Sequence, residues 1–385
     1  MWSMGVSGGI LLRVCVVLTA RASWAKLQTV CAALRQTTDL QIVCAASAVL
    51  ERYGNVSAVL EAQGFTIAER VYSVYEGANL VTSAKETGAL FTALTDTYMR
   101  LRPDVVMVCA DRHEILAAAG AAKYLHIPLA HLQGGETSGS VDNSVRDAVT
   151  QLSDYHFVCT ERAKFRVVSL TGDFEHVWNF GCGSIDLARE ALSDPPVTAD
   201  ELGGAGAPID LSRPFVVLLQ HPVTSEADEA GTQMAVTLEA MTAPTICFWP
   251  GEDAGAEAMS KQIRLRPWLH TVRSLPPRRF LKLVTQAACL VGNSSAGIRE
   301  ASYLGVPVVN IGTRQHGRQR GPNVIDVPHE GAAIASAVHR QMAHGPYPSS
   351  TLYGSGDAGP QIASAIHALR LREPAEGRSV YLSRV

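Results

Sequence analysis

Short apolar runs alternate with amphipathic stretches along almost the whole chain. "RVCVVLT" (about 13–19) precedes "WAKLQTVCAALRQ", and "DLQIVCA" precedes "SAVLERYGNVSAVLEAQG". "DVVMVCA" precedes "RHEILAAAGAAKYL", "PLAHLQ" precedes a helical pattern at 142–153, and "YHFVCT" precedes "ERAKFRVVSL". Runs of this length, each followed by a helical period, predict parallel strands covered by helices on both faces. The pattern fades in "DPPVTADELGGAGAPIDLSRP", where Pro and Gly cluster, and a linker is placed at 195–213. It restarts with "PFVVLLQ", a helix near 226–242, "TICFWP", a helix near 255–264, "LHTVRSL", "RRFLKLVTQA", "CLVGN", "SAGIREASYLG" and "PVVNI". The expected organisation is α/β: two doubly wound domains at 13–194 and 214–365, with a terminal helix and tail at 366–385.

Composition narrows the function classes. With 47 % hydrophobic and 18 % charged residues, neither disorder nor a coiled coil fits. A net charge of −3 without a Lys/Arg run argues against nucleic-acid or membrane-surface partners. No stretch approaches the roughly 18 uninterrupted apolar residues of a membrane span. A secretory leader is not expected, since no positive charge precedes the first apolar run and Arg13 interrupts it. The eight cysteines are scattered without a C-x-x-C pair. They read as buried thiols in a reducing, cytoplasmic setting. The dispersed histidines show no H-x-x-x-H or H-E-x-x-H spacing, so no metal is expected.

In open α/β sheets ligands sit beyond the carboxyl ends of the strands, so the residues just after each strand carry the functional reading. "GNSSAG" ends a strand and begins a helix, which gives Ser294 and Ser295 the position of a phosphate cradle. Gly292 and Gly297 let the chain turn and a ligand approach, and Glu300, a turn inside, could reach a ribose. An ordinary Ser-capped helix has the same pattern. Arg21 and Lys26 follow the first strand, where cations oppose the helix dipole unless an anion lies between them. Asp111 reads as the cap of a buried helix, pointing into the cleft. His221 directly follows the first strand of the second half, placed to stabilise a leaving diphosphate. Arg314, Arg318 and Arg320 suit bidentate phosphate contacts. In "GGETSGSVDNSVRD", Glu136 precedes a loop, Ser140 or Asp142 caps the next helix, and Arg146 is one turn from Asp142 and could pair with it.

Ten stretches, in order, carry a likeness that spans about residues 13–365. Among them are "TARASWAKL", "RPDVVMVCADRHEILAAA", "IPLAHLQGGETSGSVDNSVRDAVTQLS", "GCGSIDL", "HPVTSE", "WPGEDAG", "LPPRRFLKLV" and "LVGNSSAGIREASYLGVPVVNIGTRQHGRQR". The chain resembles the UDP-N-acetylglucosamine 2-epimerase family, and within it the hydrolysing branch that serves sialic-acid-type and legionaminic-acid-type biosynthesis. The resemblance implies the GT-B fold, two Rossmann-like domains with the active site in the cleft between them. It implies Asp111, Glu136 and Asp142 as catalytic carboxylates, with Arg146 and His221 beside them. Arg21, Lys26, His221, Asp253, Ser294, Ser295, Gly297 and Arg314 would bind UDP, Glu300 the ribose, and Phe280 would pack near uracil. The chain departs from the family pattern in "LTAR" for "TGTR", Arg146-Asp147 for Arg-His, and "GTRQ" for "GDRQ".

The implied reaction converts UDP-N-acetylglucosamine to N-acetylmannosamine and UDP by anti elimination to a 2-acetamidoglucal, followed by hydration. No cofactor is called for. The same chemistry on UDP-N,N'-diacetylbacillosamine is the alternative. A non-hydrolysing epimerase, a GT-B glycosyltransferase and a nucleotide-sugar sensor share the fold. The UDP-sugar is the expected partner. A homodimer or homotetramer is expected, joined through the Ala-rich helices near 84–100 and 114–125.

Overall fold

The computed structural model describes residues 11–369, apart from 78, 139–141 and 252, and apart from the side chain of Arg52. Seven strands form the first sheet: β1 (Arg13–Leu18), β2 (Asp39–Ala45), β3 (Ile67–Val71), β4 (Val105–Cys109), β5 (Leu129–Leu132), β6 (Tyr155–Val158) and β7 (Val177–Asn179). Their order is β3-β2-β1-β4-β5-β6-β7, parallel throughout. The second sheet holds β8 (Ala205–Gly206), β9 (Val216–Leu219), β10 (Thr245–Phe248), β11 (His270–Val272), β12 (Cys289–Gly292), β13 (Val308–Ile311) and β14 (Val324–Val327). Its order is β14-β13-β12-β9-β10-β11-β8, and only the short β8 runs antiparallel. Strand order therefore reverses between β1 and β4 in one lobe, and between β9 and β12 in the other.

Alternation along β1 shows why both faces must be covered. Val14, Val16 and Leu18 pack under the helix Arg21–Leu34, while Cys15 and Val17 face the helices Leu80–Leu101 and His113–Tyr124. The second of those helices is Ala-rich because its neighbour lies close: a Cβ on Gly120 would sit 2.5 Å from the Phe91 ring. Among the described residues no helix is long and apolar enough to cross a membrane.

The structure revises the sequence reading in three places. The helical pattern at 47–64 breaks, because Gly54 (φ 94°) and Asn55 (φ 34°) both turn left-handed; the helix starts only at Val56, capped by the Asn55 side chain. The linker placed at 195–213 is shorter: Val197 exchanges hydrogen bonds with Gln286, Val197 and Leu202 enter the second core, and β8 extends the second sheet. The terminal helix is Ala358–Leu369, and its Ala358, Ile362, Ala363 and Ile366 pack into the first core, so 358–365 does not belong to the second lobe. Part of the tail placed at 366–385 lies outside the described residues, as do the first ten residues of the chain.

One buried carboxylate anchors that returning helix. Asp186, 4 % exposed, accepts from the backbone N–H groups of Ala358 (2.9 Å) and Gly359 (2.7 Å), two first-turn donors that have no intrahelical partner. Asp186→Ala should destabilise the fold by about 2 kcal/mol and make the terminal helix susceptible to limited proteolysis. An unchanged urea midpoint together with wild-type protease resistance would contradict this anchoring role.

Candidate active site

The carboxyl ends of β1, β4 and β5 face those of β9 and β12. After β1, Arg21 opens a helix whose N-cap, Ala20, offers no side-chain oxygen, and its Nη1 donates to the Arg273 carbonyl of the other lobe at 3.3 Å. One turn on, Lys26 is half-buried. Burial and the charges of Arg299 and Arg318 lower its pKa.

After β4, Ala110 takes φ 71°, a left-handed conformation that costs a non-glycine residue energy. His131 Nε2 donates to the Ala110 carbonyl at 2.9 Å, and the Thr150 hydroxyl donates to Nδ1 at 3.3 Å. These contacts define a neutral ring, in keeping with the burial that pushes His131 down to about 4. Asp111 comes next. It is not the helix cap expected from the sequence: the helix starts at His113, with Arg112 at the N-cap. Asp111 instead forms an ion pair with Arg146, whose side chain is 1 % exposed. The expected Arg146–Asp142 pair gives way to this one because Arg146 points back under the loop, where its Nη1 also donates to the Glu136 carbonyl at 2.7 Å. Asp142 opens its helix, and its charge acts on Arg314 across the cleft. Ser140, the other proposed cap, lies outside the described residues.

The loop after β5 needs its glycine. Gly135 (φ 76°) would place a Cβ 2.3 Å from the Ala163 carbonyl. The turn delivers Glu136, 6 % exposed, to two arginines of the second lobe: Arg299 Nη1 at 3.4 Å and Arg318 Nε at 2.7 Å. Burial alone would raise the Glu136 carboxyl, but the charges of Arg299, Arg318 and Lys26 outweigh it and hold the group below the usual carboxylate range. Glu136 is therefore ionised at neutral pH.

In the second lobe, Gly292 (φ 127°) passes so near β9 that a Cβ would meet the Leu219 carbonyl at 2.2 Å. Asn293 then spans the gap between β12 and β9. Its Oδ1 accepts from the His221 N–H at 2.7 Å and its Nδ2 donates to the His221 carbonyl at 2.8 Å. Gln315 and Arg314 donate to the Asn293 carbonyl at 2.8 and 3.2 Å. Burial, then the Arg314 charge, pushes His221 down to about 3, so its ring is neutral. Asp253 binds Arg112 Nη1 of the first lobe at 3.1 Å; burial raises its carboxyl, and Arg112 and Arg314 pull it down further.

Ser294 caps the four-residue turn Ser295–Ile298, accepting from the Ala296 N–H at 3.3 Å, and Ser295 is half-buried behind it. At Gly297 a Cβ would sit 3.0 Å from Val308 and 3.7 Å from Leu290, so close packing on the sheet also favours glycine there. Glu300 is 7 % exposed, and its Oε2 has no hydrogen-bond partner within the described residues, which leaves an acceptor for a hydroxyl. Phe280 meets Phe248 edge-on at 5.2 Å. Arg320, grouped with the other arginines from sequence, pairs with Asp326 instead.

Sequence reasoning passed over Arg299, Gln133, Asn293 and Gln315. Arg299 left a weaker signal: it follows Ile298 beside Glu300 in "SAGIREASYLG", and a guanidinium in a helix packed on the sheet has to find an anion. The helix breaks there (φ −97°, ψ −72°), which frees Arg299 to reach Glu136. Glu86, His113 and Glu114 bring ligand-type atoms within 4.8 Å of one another. The two ring nitrogens face different carboxylates, at 3.8 and 3.6 Å, and Glu114 is held by Arg112. Burial opposes the charge, but the hydrogen bond to Glu86 and the Glu114 charge raise the His113 pKa, which favours a protonated ring between the two carboxylates.

Two Rossmann-type sheets facing each other across a charged cleft make this a GT-B protein. The UDP-N-acetylglucosamine 2-epimerase model matches residues 32–367, and the chain belongs to that family. It is 31 % identical to the UDP-N,N'-diacetylbacillosamine 2-epimerase (hydrolyzing) of Legionella pneumophila over 90 % of this chain and 93 % of that one. It is 28 % identical to a UDP-N-acetylglucosamine 2-epimerase of Neisseria meningitidis serogroup B, over 90 % and 91 %. The fold matches the crystal structure of the Neisseria meningitidis UDP-GlcNAc 2-epimerase bound to UDP-GlcNAc with a TM-score of 0.76 at 18 % identity, covering 92 % of this chain and 99 % of that one.

The rings of His131 and His156, both buried, and of half-buried His221 are neutral, with pKa values near 4, 4 and 3. Their folded pKa values lie below the unfolded value of about 6.5. Below that value the unfolded chain takes up protons that the folded chain refuses. Stability therefore falls as pH drops, by about 1.4 kcal/mol per pH unit for each ring. His113, raised, works in the opposite sense, but His329 is also lowered, so it stands one against four. The urea midpoint should be lower at pH 5 than at pH 7; an equal or higher midpoint would contradict neutral burial.

Proposed function

We propose that the chain hydrolyses a UDP-linked 2-acetamido sugar while inverting C2. The observation that carries this reading is the meeting of Asp111 and Glu136, from one lobe, with Arg299 and Arg318 from the other. Acids able to exchange protons with a sugar thereby lie beside cations able to stabilise a departing diphosphate. Arg21, Lys26, Arg314 and the Ser294–Ser295 turn would hold the diphosphate, Glu300 the ribose and Phe280 the base. A neutral His221 would donate a hydrogen bond to the leaving group.

The C2 proton of a 2-acetamido sugar is weakly acidic. It becomes removable as the C1–O bond to UDP breaks and C1 gains oxocarbenium character. A carboxylate takes the proton, UDP leaves, and a 2-acetamidoglucal results. Water adds at C1, and a proton returns to C2 from the opposite face. Removal and return on opposite faces require more than one acid–base group, which Asp111, Glu136 and Asp142 supply. The substrate is UDP-N-acetylglucosamine or UDP-N,N'-diacetylbacillosamine; the name of the Legionella relative favours the second and that of the Neisseria relative the first. All eight cysteines are free and buried, which supports a cytoplasmic setting. The exposed Leu80, Val81 and Tyr124, on the helices Leu80–Leu101 and His113–Tyr124, support self-association through that face.

Asp111→Asn, Glu136→Gln and Asp142→Asn should each cut turnover by about 10²-fold or more and leave UDP binding in place. In D₂O the product should be a free manno-configured sugar with one deuterium at C2. A UDP-linked manno product would move the chain to the non-hydrolysing reaction, and retained hydrogen at C2 would remove elimination.

Ser295→Ala and Glu300→Ala should weaken UDP binding, by loss of a phosphate donor and a ribose acceptor. Calorimetry showing wild-type affinity in both variants would refute that placement.

A further inference from the structure

The Gln133 amide lies between the two lobes. Its Oε1 accepts from Arg299 Nη1 at 2.7 Å, and that same nitrogen approaches Glu136. A primary amide has two unlike ends. Were it flipped, its NH₂ would oppose the guanidinium, donor against donor. Arg299 thus selects which end of the amide faces it, and the other end is held by Cys182: Nε2 donates to Cys182 Sγ at 3.0 Å.

The surroundings of that sulfur suit an acceptor. Ser184 Oγ lies 2.9 Å away, and Cys159 shares the same buried cluster. Cys182 is the N-cap of the ten-residue helix Gly183–Leu192, where partial negative charge is favoured. Its backbone is pinned by a 2.8 Å hydrogen bond from its N–H to the Tyr353 carbonyl. The hydrogen bond with Cys159 lowers the thiol and burial opposes it; with Arg299 and Ser184 assisting, it comes to about 7.

We propose that Cys182 is a positioning residue for the reaction: its sulfur orients the Gln133 amide that seats Arg299 on Glu136. The proposal rests on the hydrolysing-epimerase reading for its kinetic consequence, and on the contacts alone for its structural one. Cys182 touches no substrate group; it acts through Gln133. Serine, also able to accept and donate, preserves the relay, whereas alanine leaves the Gln133 NH₂ without a partner, so that only the Arg299 contact still holds the amide.

The test combines kinetics with structure on the full chain. Cys182→Ala should lower kcat about tenfold or more, the scale of a misplaced catalytic group, while UDP affinity by calorimetry stays within about twofold of wild type and Cys182→Ser recovers most of kcat. Gln133→Leu should show the same loss, and the double variant no further one. Wild-type kcat in Cys182→Ala, or losses that multiply in the double variant, would overturn the relay. Should the alanine variant not fold, Gln133→Leu carries the kinetic test: wild-type kcat there is equally fatal. In a crystal structure of Cys182→Ala the 2.7 Å contact between Gln133 and Arg299 should be gone; its persistence would also overturn the proposal. Wild-type protein that releases UDP from neither sugar would sink the functional reading, and the crystal comparison would then decide the relay alone.

Discussion

A carboxylate removed from water is tolerable only where cations replace the lost solvation. Glu136 meets that condition with Arg299 and Arg318, and those arginines belong to the opposite lobe. Arg146 and Asp111 add a second pair to the same floor. Pull the lobes apart and Glu136 keeps its own loop but loses both guanidinium partners. The charge pattern of the cleft is therefore a property of the closed molecule. Neither sheet alone has the arrangement of charges that the two lobes make together.

Local conformation serves that arrangement at some energetic cost. Ala110 (φ 71°) and Gln133 (φ 65°) are non-glycine residues in left-handed conformations, and each directly follows a strand that ends at the cleft. Strained positions persist where their surroundings over-determine them. For Ala110 the restraint is the neutral His131 ring on its carbonyl. For Gln133 it is the pair of contacts at the two ends of its amide. Asp111 and Glu136 follow these bends closely, so the strain re-aims the chain where two acids must leave the sheet.

Much of this was readable from residues alone. Fully covered parallel strands are continuous apolar runs, so β1, β2, β4 and β12 stood out, and the strand ends pointed to Asp111, Glu136, His221 and Ser294. Less visible were β3, with its polar "IAER", and β7, only three residues long. The pairing of charges was also hidden, because which carboxylate meets which guanidinium depends on how two lobes meet. Arg146 shows the difficulty: helical spacing offered Asp142, and the fold supplied Asp111. Asp111 itself, in the sequence pattern of a cap, is released from capping because the helix begins two residues later. The return of the last helix to the first lobe was equally hidden, since nothing local in "QIASAIHALRL" says which sheet it covers.

That return has a consequence for how the protein is made. The first lobe is discontinuous: its core includes Ile362 and Ile366, which the ribosome adds only after the whole second lobe. Chains generally mature from the N-terminus, domain by domain. Here the N-terminal lobe emerges first yet lacks a piece of its hydrophobic face, and the helix Arg21–Leu34 awaits the segment that will cover it. The second lobe has no such dependence, for its core draws on residues between Val197 and Val338. Synthesis thus inverts the usual order: the half translated last can complete its interior first, and the half translated first is sealed by the helix Ala358–Leu369.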